Sequence, residues 1–348
     1  MAASRRFAVR DHIATLDVER DCEQIARLLG TVEFPWDIIR ALELALYRSY
    51  CVPTIGGLLD STQEFARRTQ KRYDDTSLLL AEVIENGLES DRGREAIRRI
   101  NRIHGRFAIS NDDMRYVLST FVAVPLRWLE RFGWRPVTEH ERVGGHNYYR
   151  ELGHRMGIRD IPTTWQEMLA LSDAYEREHF APTAASAAVG EATRELFVRW
   201  LWFLPAPLVR VGVHALLDEP VLRVFGFRAA PKPVQVAVAA ALRARGKLVR
   251  RLPPRRRPFR VAESWPVRSY PRGYTIEQLG PRRNPAAGGH LHDREHLGRI
   301  EERAHVLWRG TRHAHVGHKP VPSSPSRPAT AVSTSRSGGA AAPRGEAM

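Results

Sequence analysis

The period of the apolar residues is what most constrains this chain. Over residues 1–227 they recur at helical spacing, and no strand-like alternation runs longer than four residues. In residues 35–50 a first-turn proline precedes Ile38, Leu42, Ala45 and Leu46. Residues 61–85 carry Phe65, Leu78, Leu79 and Val83, and residues 91–107 carry Ala96, Ile97, Ile100, Ile103 and Phe107 on one stripe. Ser110-x-x-Asp113 resembles a capping box and opens a helix to Phe132, with Pro125 expected to kink or restart it. Thr138-x-x-Glu141 and Thr164-x-x-Glu167 open two more, to about Met156 and Phe180. The pattern predicts an all-α protein. Residues 196–217 read as a deeply buried packing helix, with an interfacial membrane helix as the alternative. Residues 234–252 read as an amphipathic helix that turns basic at its C-terminal end, where cations favour the helix dipole.

Charge divides the chain in two. The net charge is +15 over 348 residues. Residues 1–227 hold 30 Lys+Arg against 32 Asp+Glu, and residues 228–348 hold 24 against 7. A near-neutral globular region is followed by a basic extension. Residues 282–348 are rich in Arg, His, Pro, Ser and Gly, and are predicted to be a disordered tail. A nucleic-acid binder rests on charge alone. The neutrality of residues 1–227 and the scarcity of aromatics in the extension argue against it.

Two cysteines, Cys22 and Cys51, exclude a disulfide scaffold and suit a reducing compartment. The N-terminus shows no apolar signal region, and no 18-residue uncharged apolar run exists, so a cytoplasmic location is expected. Walker A, G-x-G-x-x-G, H-E-x-x-H and G-x-S-x-G motifs are all missing from the sequence. The pairs Asp74-Asp75 and Asp112-Asp113 lack a partner motif and read as helix N-termini or solvated faces. Of 14 histidines, seven lie between 290 and 318. His290, His292 and His296 could bind a transition metal weakly, although a disordered basic tail explains them as well.

Two segments carry chemistry. His104 shares the apolar face of Ile97 and Ile100. It is either a satisfied core histidine or an imidazole facing a cavity, as an axial haem ligand does. Gly105 beside it would let a flat ligand approach the backbone closely. The other segment is residues 64–76, where Arg68, Lys71, Arg72 and Asp75 fall on one helix face. That face is either solvated or a cationic wall that polarises a bound small molecule. Arginine outnumbers lysine 50 to 4, which makes Lys71, the only lysine before Lys232, stand out.

The runs KRYDDTSLLLAEVIENG, AIRRINRIHGRFAISNDDMRYVLSTFVAVPLRWLERFGWRP, YYRELGHRMGIRDIP and DAYEREHF, in that order, resemble the MpaB-like group of the rubber-oxygenase (latex-clearing-protein) superfamily. The resemblance places a catalytic domain at residues 30–281, after a lead-in of residues 1–29. It implies a globin-related helical bundle enclosing a haem b pocket, with His104 as the axial iron ligand. It implies distal roles for Arg68 and Lys71, with Thr69 or Thr76 a loose match for a threonine expected where Arg72 stands. It implies dioxygen activation and oxidative cleavage of a C=C bond in an apolar, isoprenoid or lipid-like substrate. Phe121, Trp128, Phe132 and Trp134 are candidates to line a channel for it, with core packing the expected role of most of them. Arg127, Arg131 and Arg135 are alternatively expected to pair with Glu130, Glu139 or Glu141. The competing reading is a non-catalytic helical binding protein, peripheral to a membrane through its basic tail.

Overall fold

A computed structural model describes residues 6–264 and 267–281. The tail predicted for residues 282–348, with His290, His292 and His296, lies outside the described residues, as do residues 1–5 of the lead-in. The described residues contain helices and no strand. The helices are α1 (Ala8–Ile13), α2 (Cys22–Leu28), α3 (Pro35–Ser49), α4 (Pro53–Ser61), α5 (Glu64–Asn86), α6 (Asp91–His104) and α7 (Asn111–Phe132). They continue as α8 (Glu139–Arg155), α9 (Trp165–His179), α10 (Ala184–Trp200), α11 (Ala206–His214), α12 (Glu219–Phe225), α13 (Lys232–Arg251) and the single turn α14 (Val261–Ser264). A π-turn at Leu29–Glu33 joins α2 to α3.

The helix starts follow from side-chain chemistry. Ser110 accepts from the Asp113 amide at the head of α7. Thr138 and Thr164 form reciprocal capping boxes with Glu141 and Glu167. Each satisfies backbone donors that a helix N-terminus leaves bare. Thr138→Ala is expected to lower stability by about 1 kcal/mol, read as a shift in urea midpoint with an unchanged slope.

Helix α3 packs most extensively on α7. Ala41 and Ala45, both fully buried, keep the two backbones close, and Trp128, Leu129 and Phe132 fill the space beside them. A second core joins α5, α6 and α8 through Leu78, Val83, Ile97, Ile100, Tyr148 and Leu152. Pro125 does not end α7. The helix runs through it to Phe132 because the packing around Val124 and Trp128 holds both halves. Cys22 and Cys51 are buried free thiols.

Several expectations need correction. Residues 196–217 are two helices separated by a turn at 201–205, since Pro205 and Pro207 cannot continue α10. Trp202 and Phe203 are exposed there, so the buried-helix reading fails. Asp74 and Asp75 are buried rather than solvated. They anchor a returning segment, residues 267–281: Asp74 accepts from the Ser269 amide at 3.0 Å and Asp75 from the Tyr270 hydroxyl. Of the arginines near the α7 terminus, Arg135 pairs with Glu141 as expected. Arg127 instead pairs with Asp173 at 2.7 Å, and Arg131 lies over Phe132.

Candidate functional site

Helix α6 ends at His104, opposite the middle of α5, because the two helices run antiparallel from the turn at 87–90. The His104 Nδ1 is buried and has no hydrogen-bond partner. Burial, and secondarily the charge of Arg72, push its pKa down to about 4, so the ring is neutral near pH 7. The alternative of a satisfied core histidine is therefore not met. A buried polar atom without a partner costs about 1–3 kcal/mol. Gly105 after it is in an ordinary right-handed conformation, so its backbone does not demand glycine there.

On α5 the backbone departs from helical geometry at Arg68 (φ −144°, ψ 42°). The Arg68 guanidinium pairs with Glu64. The Thr69 hydroxyl donates to the Phe65 carbonyl at 2.6 Å. The Lys71 ammonium donates to Asp75 at 2.7 Å and to the Gly280 carbonyl at 2.9 Å, which fastens the returning segment to α5. Arg72 is the cation whose charge acts on His104. Its guanidinium donates to the Thr76 hydroxyl and lies 5.5 Å from the centre of the Phe65 ring. It also reaches the field of Tyr50, whose hydroxyl pKa burial pushes up to about 12.

Thr76 connects this cluster to an apolar cavity of about 190 Å³ between α3, α5, α7 and α8. Leu42, Leu46, Leu80, Phe121, Leu126 and Tyr149 form much of its wall. Phe121 thus lines a cavity as expected, whereas Trp128, Phe132 and Trp134 belong to the core. His104, Gly105, Arg68, Thr69, Lys71 and Arg72 do not line it. Glu43, Tyr73, Thr76 and Ser77 are among the polar residues that line it. Tyr73 donates to Glu43, and Arg40 pairs with the same carboxylate at 2.7 Å. Burial raises the Glu43 pKa, with Arg40 opposing. The sequence signal for Glu43 was a single acid inside the apolar run of α3. The signal for Arg72 and Thr76 was their i, i+4 spacing.

Among the described residues no group of three or more His, Cys, Asp or Glu could hold a metal ion. One imidazole is nevertheless the donor set that suits an iron already held by a macrocycle.

Residues 41–251 match the family described as ER-bound oxygenase mpaB/B'/Rubber oxygenase, catalytic domain. The chain belongs to this family of oxygenases, and is an oxidoreductase in class. It is 29% identical over 227 residues to the ER-bound oxygenase mpaB of Penicillium roqueforti (strain FM164), covering 60% of this chain and 74% of that protein. It is 28% identical over 273 residues to ER-bound oxygenase mpaB' of Penicillium brevicompactum, covering 72% of this chain and 63% of that protein. The chain spans 64% of the mpaB of Penicillium brevicompactum at 25% identity.

Proposed function

We propose that this protein is a haem-dependent oxygenase that cleaves a C=C bond in an apolar, isoprenoid or lipid-like substrate, within a globin-related bundle. The observation that carries the reading is His104: a neutral imidazole with an unpartnered buried Nδ1, acted on by the charge of Arg72. These residues fit haem b. His104 would hold the iron and Arg72 would stand beside it. Haem b, when bound, supplies the activation of dioxygen that side chains cannot perform.

The chain's own residues account for the rest. The leucine-rich walls of the cavity bind an apolar substrate and exclude water. Arg72, steadied by Thr76, offers fixed positive charge where charge builds on oxygen. Of the residues expected from the resemblance, Arg68, Thr69 and Lys71 act by holding that part of α5, through Glu64, the Phe65 carbonyl, Asp75 and Gly280. Cleavage places one atom of dioxygen on each alkene carbon. It gives two carbonyl products with no further reductant.

The placement proposed for the protein is the cytoplasmic face of a membrane. Among the described residues no helix is long and apolar enough to cross one. The test is direct. Protein purified with haem supplied is expected to show a Soret band, and to take up dioxygen with isoprenoid alkenes while releasing two carbonyl fragments. A folded, colourless protein sinks the reading.

A further inference from the structure

The turn between α10 and α11 presents a concentrated apolar surface. Trp202 is 80% exposed, Phe203 64% and Leu208 56%, with Leu201 and Leu204 also exposed. Pro205 and Pro207 stiffen it. Folding alone gives no reason to hold a tryptophan and a phenylalanine in water side by side, and such patches mark interaction surfaces. Helix α11 packs on α13, which brings a second surface next to the first. Helix α13 has no acidic residue. It exposes Val236 and Leu248 among Lys232, Arg243, Lys247, Arg250 and Arg251, and exposed Leu252, Arg255, Arg256 and Arg257 follow.

Aromatic side chains beside cations with no ion pair among the described residues suit a layer that is apolar below and anionic above. Trp and Phe sit at the headgroup boundary, while Lys and Arg keep their charges near phosphate. A protein partner would need no such pairing of bare aromatics with a wholly basic helix. The patch also adjoins the site. Trp200, the last residue of α10, donates from Nε1 to Gln70 at 2.7 Å and packs edge-on against Tyr73 with ring centres 4.6 Å apart. Tyr73 lines the apolar cavity. The exposed turn therefore begins one residue beyond a contact with the cavity wall.

We infer that the 201–208 turn inserts into an anionic lipid surface, with α13 contacting the headgroups, and that it is the side from which a lipid-dissolved substrate reaches the cavity. This deepens the peripheral placement proposed above and is independent of the haem assignment.

The experiment sediments the full chain with vesicles of phosphatidylcholine alone or mixed with phosphatidylglycerol. The wild type is expected to bind the mixed vesicles in low salt and to weaken as salt rises. Trp202→Ser/Phe203→Ser is expected to reduce partitioning by about tenfold or more, since both side chains lose their apolar burial. It keeps the basic tail. Both residues are exposed, so its helical circular dichroism and melting temperature should match wild type. Lys247→Glu/Arg250→Glu should weaken binding to the mixed vesicles only. A Trp202→Phe variant should lose the blue shift in tryptophan fluorescence that vesicles induce. Binding that survives Trp202→Ser/Phe203→Ser assigns attachment elsewhere and overturns the inference. Binding to no vesicle overturns it together with the peripheral placement. A lipid-free dimer that the same variant abolishes overturns it in favour of a second copy of the chain. None of these outcomes bears on the Soret band.

Discussion

His104→Ala, supplied with haem, is expected to keep the helical circular dichroism of the wild type and to lose its Soret band. The wild-type chain keeps a buried imidazole nitrogen without a partner, at about 1–3 kcal/mol. Removing the ring removes that cost and some packing at the end of α6, so the change in stability is small. What it cannot replace is the donor. Arg72, whose charge acts on His104, carries no lone pair to offer iron. Arg72→Met gives the complementary result. It should keep the Soret band and lower turnover by about 10²–10³, the effect of losing one fixed donor aimed at developing charge. An unaltered Soret band in His104→Ala overturns the ligand assignment. Equal turnover in Arg72→Met overturns the role of the cation.

Much of this arrangement could be read from the sequence, and the exceptions have physical causes. The capping residues Ser110, Thr138 and Thr164 announced their helices, because a cap depends on side chains three residues apart. His104 drew notice in the sequence because a polar ring on an apolar stripe is conspicuous. The α10–α11 break was hidden by a run of apolar residues that hydrophobicity reads as buried. Asp74 and Asp75 looked solvated because two of the groups that bury and bind them, Ser269 and Tyr270, lie 195 residues away. The choice among Lys71, Arg68 and Arg72 was harder still. Neighbouring helical residues point about 100° apart, and the departure from helical geometry at Arg68 shifts the phase of everything before it. Spacing placed cations on this stretch of α5. Tertiary packing decided which one acts on His104.

Arg135→Met is expected to be the most destabilising single change away from the site, at about 3–5 kcal/mol. The Arg135 side chain is 3% exposed and lies between two carboxylates that are equally buried. It donates to Glu33 from Nε at 2.8 Å and Nη2 at 2.6 Å, to Glu141 from Nη1 at 2.8 Å and Nη2 at 2.6 Å, and to the Pro136 carbonyl. These contacts hold the guanidinium charged despite its burial. They join the π-turn before α3 to the head of α8, where Glu141 also closes the capping box on Thr138. Methionine fills similar space and leaves both carboxylates without their main counter-charge, with only Arg6 at 3.8 Å from Glu33. A folded domain of this size loses about 2–4 °C of Tm per kcal/mol. The expected fall is on the order of 10 °C. Adding Glu33→Leu and Glu141→Gln to Arg135→Met should recover part of it, because the penalty lies in stranded charge more than in lost attraction. Glu33→Gln should likewise cost less in the Arg135→Met background than in wild type, a coupling that a double-mutant cycle in urea reads directly. Independent, additive losses would mean that the three residues do not act as one buried network.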